Sequence, residues 1–175
     1  MTYVPQIYPQ PPEKSWLRSY ETDYPTVVLN RFGKGQSVFF PYAADRNVWL
    51  HGHNDFSELL GNALDHLLEG NYTINTNAPV SVHFSLNQSR EAGKYVLHAV
   101  NTTSAPRRPV LQTIPVSGIE AEIQLPFRQL TSFRVLYGSS QIECVNSKSA
   151  GGQLWLTLRI PSLEEYAAVY LEAAL

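Results

Sequence analysis

Three side chains that could ligate a metal ion stand within five residues of one another, just before a predicted helix. They are His51, His53 and Asp55 in the run His-Gly-His-Asn-Asp. Imidazole nitrogens and carboxylate oxygens are common ligands of zinc and other transition metals, so this run is a candidate metal site. No fourth ligand stands at a recognisable spacing, and a polar loop leading into a helix N-cap explains the same residues. We keep both interpretations and favour the cap.

The acidic residues and the single cysteine show no catalytic pattern. Hydrolysis of a glycosidic bond needs two carboxyl groups held at a set separation across the sugar. Glu120 and Glu122 stand two residues apart on a predicted strand, which is typical of a solvated sheet face. Cys144 has no activating neighbours in the sequence, and no G-x-S-x-G run is present. We therefore predict that this chain has no catalytic residues, needs no cofactor and is not itself an enzyme.

Two polar sites in the second half of the chain have structural explanations. His98 lies in the middle of a predicted strand and Asn101 at its end. We expect His98 to make a structural hydrogen bond rather than to act as a general base. Glu164 and Glu165 follow Ser162, and we expect them to begin a short turn of helix.

Three aromatic residues, Trp155, Tyr166 and Tyr170, form a second candidate site, a platform on which sugar rings would stack. Trp155 points away from the apolar stripe of its own strand, so its ring is either exposed or covered by a neighbour. We favour burial at a contact between domains, because large aromatic rings gain most from burial. Exposure of Trp155 beside another aromatic ring in a groove would favour sugar binding.

Composition excludes several classes of function. The 175 residues are 43% hydrophobic and 16% charged, with a net charge of −2, which is typical of a globular protein. The largest group of adjacent basic residues is the pair Arg107-Arg108. The near-neutral charge and the lack of a larger basic cluster argue against nucleic acid as a partner. No apolar run approaches the roughly 20 residues that span a bilayer, so we expect no membrane partner. One cysteine and no visible signal peptide favour a cytoplasmic protein.

The first 72 residues predict an extended arm followed by a small α/β unit. Residues 1–25 are rich in proline and tyrosine, which favours an extended arm. Residues 26–72 then predict a hairpin with strands at 26–30 and 37–41, the second buried on both faces because three apolar residues follow one another in it. A helix capped by Asn54 or Asp55 follows, with leucines at helical spacing, and we expect it to stop at Gly70.

Residues 73–175 predict an antiparallel β-sandwich, so the fold class of the chain is mainly β with a small α/β remnant in front. Apolar and polar residues alternate with a period of two, and Gly, Pro, Asn and Ser separate the segments. The predicted strands are 80–86, 94–100, 119–125, 134–137, 141–145, 154–160 and 168–172.

The order of these segments resembles a known group of bacterial proteins. The runs FGKGQSVFFPYAADRNVW, LLGNALDHLL, PVSVHFSL, GKYVLHAVN and LTLRIPSLEEYAAVYLE are similar to the C-terminal part of family 42 β-galactosidase-like and α-L-fucosidase-like proteins. Those proteins carry a catalytic barrel, an amidotransferase-like trimerisation domain and a terminal β-sandwich. The resemblance implies that residues 23–70 correspond to the end of the trimerisation domain, and residues 78–172 to the sandwich.

The resemblance also implies what the chain lacks. The barrel and its two catalytic glutamates are absent, which implies a non-catalytic accessory or oligomerisation module. Its expected partners are a second copy of the chain or a glycosidase barrel domain. The alternative is a carbohydrate-binding sandwich that uses the exposed aromatic residues.

Overall fold

The computed structural model describes residues 23–104, 112–139 and 141–173. The chain divides between Asn71 and Tyr72 into two compact units, here called the N-terminal unit and the C-terminal unit. Most of the predicted arm, residues 1–25, lies outside the described residues.

From residue 23 onward, the N-terminal unit consists of one hairpin and two helices. The hairpin strands pair antiparallel, with Val28 opposite Phe39 and Phe32 opposite Gly35. Gly33 turns the chain between them at a φ of 59°, a left-handed conformation that suits a residue without a Cβ. The elements are β1 (Val28–Phe32), β2 (Gly35–Phe39), α1 (Ala44–His51) and α2 (Asn54–Leu68).

The helix predicted from the leucine spacing is α2, but the prediction that Asn54 or Asp55 is its N-cap is wrong. The N-cap residue is His53, in extended conformation, and it makes no side-chain capping bond. The C-terminal stop is confirmed, since Glu69 and Gly70 both have positive φ, 52° and 73°. Within the described part of the chain, no helix is both long enough and apolar enough to cross a membrane.

Helix α1 lies between the hairpin and α2, where no helix was predicted. Gly52 ends it in the left-handed region, with its N–H donating to the Val48 carbonyl oxygen at 2.9 Å. One buried residue, Ala44, anchors its first turn, and no side chain caps it. A helix of two turns with a single buried side chain leaves little periodic signal in the sequence.

The N-terminal unit has almost no core. Between residues 23 and 71, the structure buries only Thr26 and Ala44. The prediction that the second hairpin strand is buried on both faces is wrong, because four of the five residues of β2 are exposed and the fifth is half-buried. Helix α2 has no buried residue at all. The apolar run at residues 38–40 is therefore at most half-buried in the described part of the unit.

The C-terminal unit is an antiparallel β-sandwich, which confirms the predicted fold class. Its first sheet has the strand order β4-β5-β10-β7, and its second sheet has the order β3-β6-β9-β8. The strands are β3 (Ile74–Thr76), β4 (Val82–Gln88), β5 (Lys94–Asn101), β6 (Val116–Leu125), β7 (Leu130–Tyr137), β8 (Glu143–Ala150), β9 (Gln153–Leu163) and β10 (Tyr166–Ala173).

The core lies between the two sheets and follows the alternation read from the sequence. Burying one such aliphatic side chain stabilises a fold by about 1.5–3 kcal/mol, so this layer supplies most of the stability of the unit. The largest fully buried side chains come from both sheets: Leu97, Ile119, Ile123, Leu125, Leu156, Leu158, Ile160, Leu163, Val169 and Leu171.

The chain passes from the second sheet to the first at Glu164 and Glu165. Strand β9 ends at Leu163 and β10 begins at Tyr166, so these two residues form a bend and not the expected turn of helix. We call this bend the β9–β10 corner. Two residues suffice because the strands it joins belong to different layers of the sandwich.

We predict that residues 72–175, expressed alone, fold as a unit. The core residues named above all lie in this segment, so removing residues 1–71 removes none of them. Urea unfolding followed by far-UV and near-UV circular dichroism should give one coincident cooperative transition. A fragment without near-UV signal or dispersed NMR resonances would contradict the division.

Candidate functional site

The structure does not bring the three predicted aromatic residues together. Tyr166 and Tyr170 stand on the outer face of the first sheet, on β10, whereas Trp155 stands on the outer face of the second sheet, on β9. Lys148 Nζ lies 5.7 Å from the centre of the Trp155 ring, and Arg134 Cζ lies 4.7 Å from the centre of the Tyr170 ring. Each ring therefore has a cationic side chain over one face.

Tyr166 belongs instead to a cluster with His98 and Tyr137. The Tyr166 hydroxyl lies 2.5 Å from His98 Nδ1, and the two rings stack with their centres 5.9 Å apart. The Tyr137 ring lies 5.5 Å from the Tyr166 ring at a tilt of 36°. The hydrogen bond expected of His98 is confirmed, but sequence reasoning missed Tyr137. Its only signal in the sequence was an aromatic residue directly before a glycine at a strand end.

Sheet register explains why these three side chains meet. Ala168 pairs with His98 of β5 on one side and with Tyr137 of β7 on the other. Alternation along β10 directs Tyr166 and Ala168 to the same outer face. The methyl group of Ala168 is small, and it is 4% exposed although it faces outward, because larger neighbours cover it.

Beside this cluster, a cleft of about 640 Å³ opens between the end of β7 and the β9–β10 corner. Tyr137, Gly138 and Ser139 line one side, and the corner lines the other. Gly138 has a φ of 104°, and a Cβ at this position would lie 3.0 Å from Ala167 Cβ. The positive φ and the close contact with Ala167 both favour glycine at this position.

The buried side chain of Asn101 fixes the β9–β10 corner from beneath. Asn101 is 4% exposed, and its Nδ2 donates to the carbonyl oxygens of Leu163 at 3.1 Å and Glu164 at 2.6 Å. It also donates to Ile114 O at 2.8 Å. The backbone N–H of Asn101 donates to Glu165 O at 2.8 Å. One residue therefore holds three consecutive carbonyl groups of the corner.

The candidate metal ligands are only partly brought together. The rings of His51 and His53 lie 5.7 Å apart, and the His53 ring also packs edge-on against Phe56 at 5.9 Å. In the described ranges, no group of three or more His, Cys, Asp and Glu side chains could hold a metal ion, so Asp55 does not join the two histidines in a ligand set. His53 is the N-cap residue of α2, as a loop leading into a helix requires.

The carboxylates of the second sheet lie on its outer face and form ion pairs there. Glu120 Oε1 lies 3.4 Å from Arg159 Nη2, and Glu143 Oε1 lies 3.5 Å from Arg159 Nη1. Glu122 Oε1 lies 3.3 Å from Lys148 Nζ. Exposed pairs of this kind contribute about 0–1 kcal/mol to stability. The predicted solvated face is confirmed for Glu120.

Cys144 is not arranged as a nucleophile. Burial raises the pKa of its thiol, and a smaller, opposite effect of the Asn146 backbone does not cancel this rise. The thiol also donates a hydrogen bond from Sγ to Asn146 O at 3.3 Å. A higher pKa leaves less of the reactive thiolate at neutral pH.

Comparison with known proteins relates the fold to a glycosidase. No family model matches the sequence, and no curated protein matches it. Among solved structures, the chain is similar to α-L-fucosidase isoenzyme 2 from Paenibacillus thiaminolyticus, with a TM-score of 0.66 and 21% identity over 90% of this chain. The match covers 23% of the fucosidase, so this chain spans less than a quarter of its length. Identity this low shows a shared fold, and at that level the resemblance to glycosidase-like proteins is confirmed.

We expect the substitution Asn101→Ala to lower the free energy of unfolding by about 1–3 kcal/mol, since it leaves buried carbonyl groups without a donor. Urea denaturation of the full chain measures this loss. Asn87→Ala is the matched control, because Asn87 is exposed on neighbouring strand β4, and its effect should stay within about 0.5 kcal/mol. Equal effects of the two substitutions would contradict the role given to Asn101.

We also expect Cys144 to react with a disulfide reagent several-fold more slowly in the folded protein than in urea at about pH 8, because burial disfavours its thiolate. The absorbance of the released aromatic thiol gives both rates. A folded-state rate above that of the unfolded chain would show an activated cysteine instead.

Proposed function

We propose that this chain is a non-catalytic accessory module that associates through its N-terminal unit. It is related, on this proposal, to the C-terminal region of family 42 β-galactosidase-like and α-L-fucosidase-like proteins. The observation that carries the proposal is the exposed apolar surface of a unit whose described residues bury almost nothing.

The exposed apolar residues of this unit, together here called the apolar surface, lie on the hairpin and on both helices. The exposed fractions are 88% for Phe32, 82% for Trp49 and 54% for Leu64. Monomeric proteins rarely expose large continuous apolar patches, and those that occur mark interaction sites. Residues four apart lie on one side of a helix, so Leu64 and Leu68 expose a continuous stripe on α2. The other large exposed members are Val28, Leu29, Phe39, Leu50, Leu67 and Leu68.

The proposed partner is a second copy of this chain, with a glycosidase catalytic domain as the second candidate. The resemblance to a trimerisation domain supports self-association. The fold similarity supports the second candidate, since more than three quarters of the fucosidase chain lies outside the matched region and leaves room for other domains. Either partner would bury apolar area that now faces water, at about 25 cal/mol for each Å².

A non-catalytic role agrees with the chemistry of the described residues. The carboxylates on the second sheet form ion pairs with Arg159 and Lys148, and Cys144 is a poor nucleophile. A free cysteine also fits a reducing compartment, so we propose a cytoplasmic location.

We expect the wild-type chain to form an oligomer at micromolar concentration and the variant Leu64→Glu/Leu68→Glu to be monomeric. Two carboxylates on the apolar stripe of α2 cannot be buried against a partner without a large desolvation cost. Size-exclusion chromatography with light scattering gives both masses.

The matched control is Asn62→Glu/His66→Glu, which places the same charges four residues apart on exposed polar positions of the same helix. This variant should keep the wild-type mass. A wild-type monomer, or an oligomer that survives the leucine substitutions, would contradict association through this surface. Capture of an added glycosidase barrel by a wild-type monomer would instead favour the second partner.

A further inference from the structure

We propose that the cleft between the end of β7 and the β9–β10 corner binds a neutral carbohydrate. Tyr137 would supply the stacking surface, and Glu164 and Glu165 would accept hydrogen bonds from sugar hydroxyl groups. Binding at this cleft is independent of association through the N-terminal unit, because all its lining residues belong to the C-terminal unit.

Size and shape suit one or two sugar rings. The volume of about 640 Å³ falls in the range of roughly 300–1,000 Å³ that small-molecule sites occupy. Tyr137 is 61% exposed at the edge of this cleft, a high value for an aromatic side chain on a sheet. A pyranose ring has C–H groups on its faces and hydroxyl groups around its rim. An exposed aromatic ring beside polar groups therefore suits a pyranose. The aromatic ring contacts the C–H groups on the face of the sugar, and the polar groups bind the hydroxyl groups at its edge.

The aromatic side of the cleft is ordered before any ligand arrives. The Tyr137 ring lies against Tyr166, whose hydroxyl lies 2.5 Å from His98 Nδ1 on the adjacent strand. Next to Tyr137, Gly138 allows the backbone to lie close to Ala167, where a Cβ would be 3.0 Å from Ala167 Cβ. Side chains held in this way lose little conformational freedom on binding, so more of the contact energy remains as affinity.

The charges at the cleft select the class of ligand. Glu164 and Glu165 are the only charged residues among those that line it in the described part of the chain. Both are exposed, and the backbone carbonyls beneath them accept hydrogen bonds from Asn101. Ionised carboxylates are strong acceptors for hydroxyl groups, and they repel anions. The cleft therefore favours neutral sugars and disfavours uronic acids, sulfated sugars and phosphates.

The other outward aromatic residues are less suited to stacking. Arg134 lies over the Tyr170 ring and Lys148 over the Trp155 ring, so each has a face already occupied by a cation. The two rings also stand on opposite sheets and cannot contact one ligand together. Tyr137 has no cation placed over it in the described structure, and it stands at a cleft rather than on a flat face.

The test measures binding of cellobiose, lactose and maltose to the full chain by saturation-transfer NMR and calorimetry, with digalacturonate as the anionic probe. We expect at least one neutral disaccharide to bind and digalacturonate to bind at least tenfold more weakly. Tyr137→Ala should weaken binding of the neutral sugar about tenfold or more, because it removes the one ring on which the sugar would stack. Glu164→Gln/Glu165→Gln should weaken it several-fold and reduce the preference over digalacturonate.

Trp155→Ala and Tyr170→Ala are the matched controls, each removing an outward aromatic ring elsewhere on the sandwich. Both should bind the sugar as the wild type does, and an unchanged thermal unfolding midpoint for every variant shows that the fold is intact. The proposal is overturned if no neutral sugar binds at a concentration of about 10 mM, which is high enough to detect a site with a millimolar Kd. It is equally overturned if binding survives Tyr137→Ala but is lost in either control.

Discussion

The crossover between the two sheets of the sandwich depends on one buried amide, the side chain of Asn101. A chain that crosses from one sheet to the other must leave the hydrogen-bonded ladder, and its carbonyl groups then need other donors. Asn101 supplies them to Leu163 and Glu164 from its side chain and to Glu165 from its backbone. A buried carbonyl without a donor costs more than a formed hydrogen bond contributes, so the corner and this residue are coupled. The position of Tyr166, directly after the corner, follows from the same contacts.

The two units satisfy the requirement for a core in opposite ways. In the C-terminal unit, each sheet covers the apolar face of the other, so side chains such as Leu156 and Leu171 are completely buried. In the N-terminal unit, a two-stranded hairpin and two short helices offer each other too little area, and an isolated hairpin is marginal in water. Its apolar residues have the composition of a core and the exposure of a surface. That mismatch is the physical argument that supports the proposal of association through this unit.

The elements predictable from the sequence were those in which apolar residues recur at a regular spacing or turn residues bound a short apolar segment. Alternation of apolar and polar residues identified three of the eight sandwich strands, four more were predicted as short segments between turn residues, and the leucine spacing identified α2. The three-residue strand β3 and the two-turn helix α1 are too short to show a period, so they were missed. Burial of β2 was predicted wrongly, because the apolar residues of a strand indicate that its burial would be favourable. They do not show whether another part of the protein covers it. The cap was predicted at Asn54 or Asp55, one or two residues late, since local propensity fixes helix ends only loosely.

The candidate site was less predictable, because sheet register creates it. Tyr166 was visible as an outward aromatic residue, but its partners His98 and Tyr137 are 68 and 29 residues away in the chain and meet it only through the pairing of β10 with β5 and β7. Trp155 and Tyr170 had the same local signal as Tyr166, yet pairing places cations over their rings. Sequence alternation therefore tells which aromatic rings point outward. The pairing of distant strands decides which of them line a cleft.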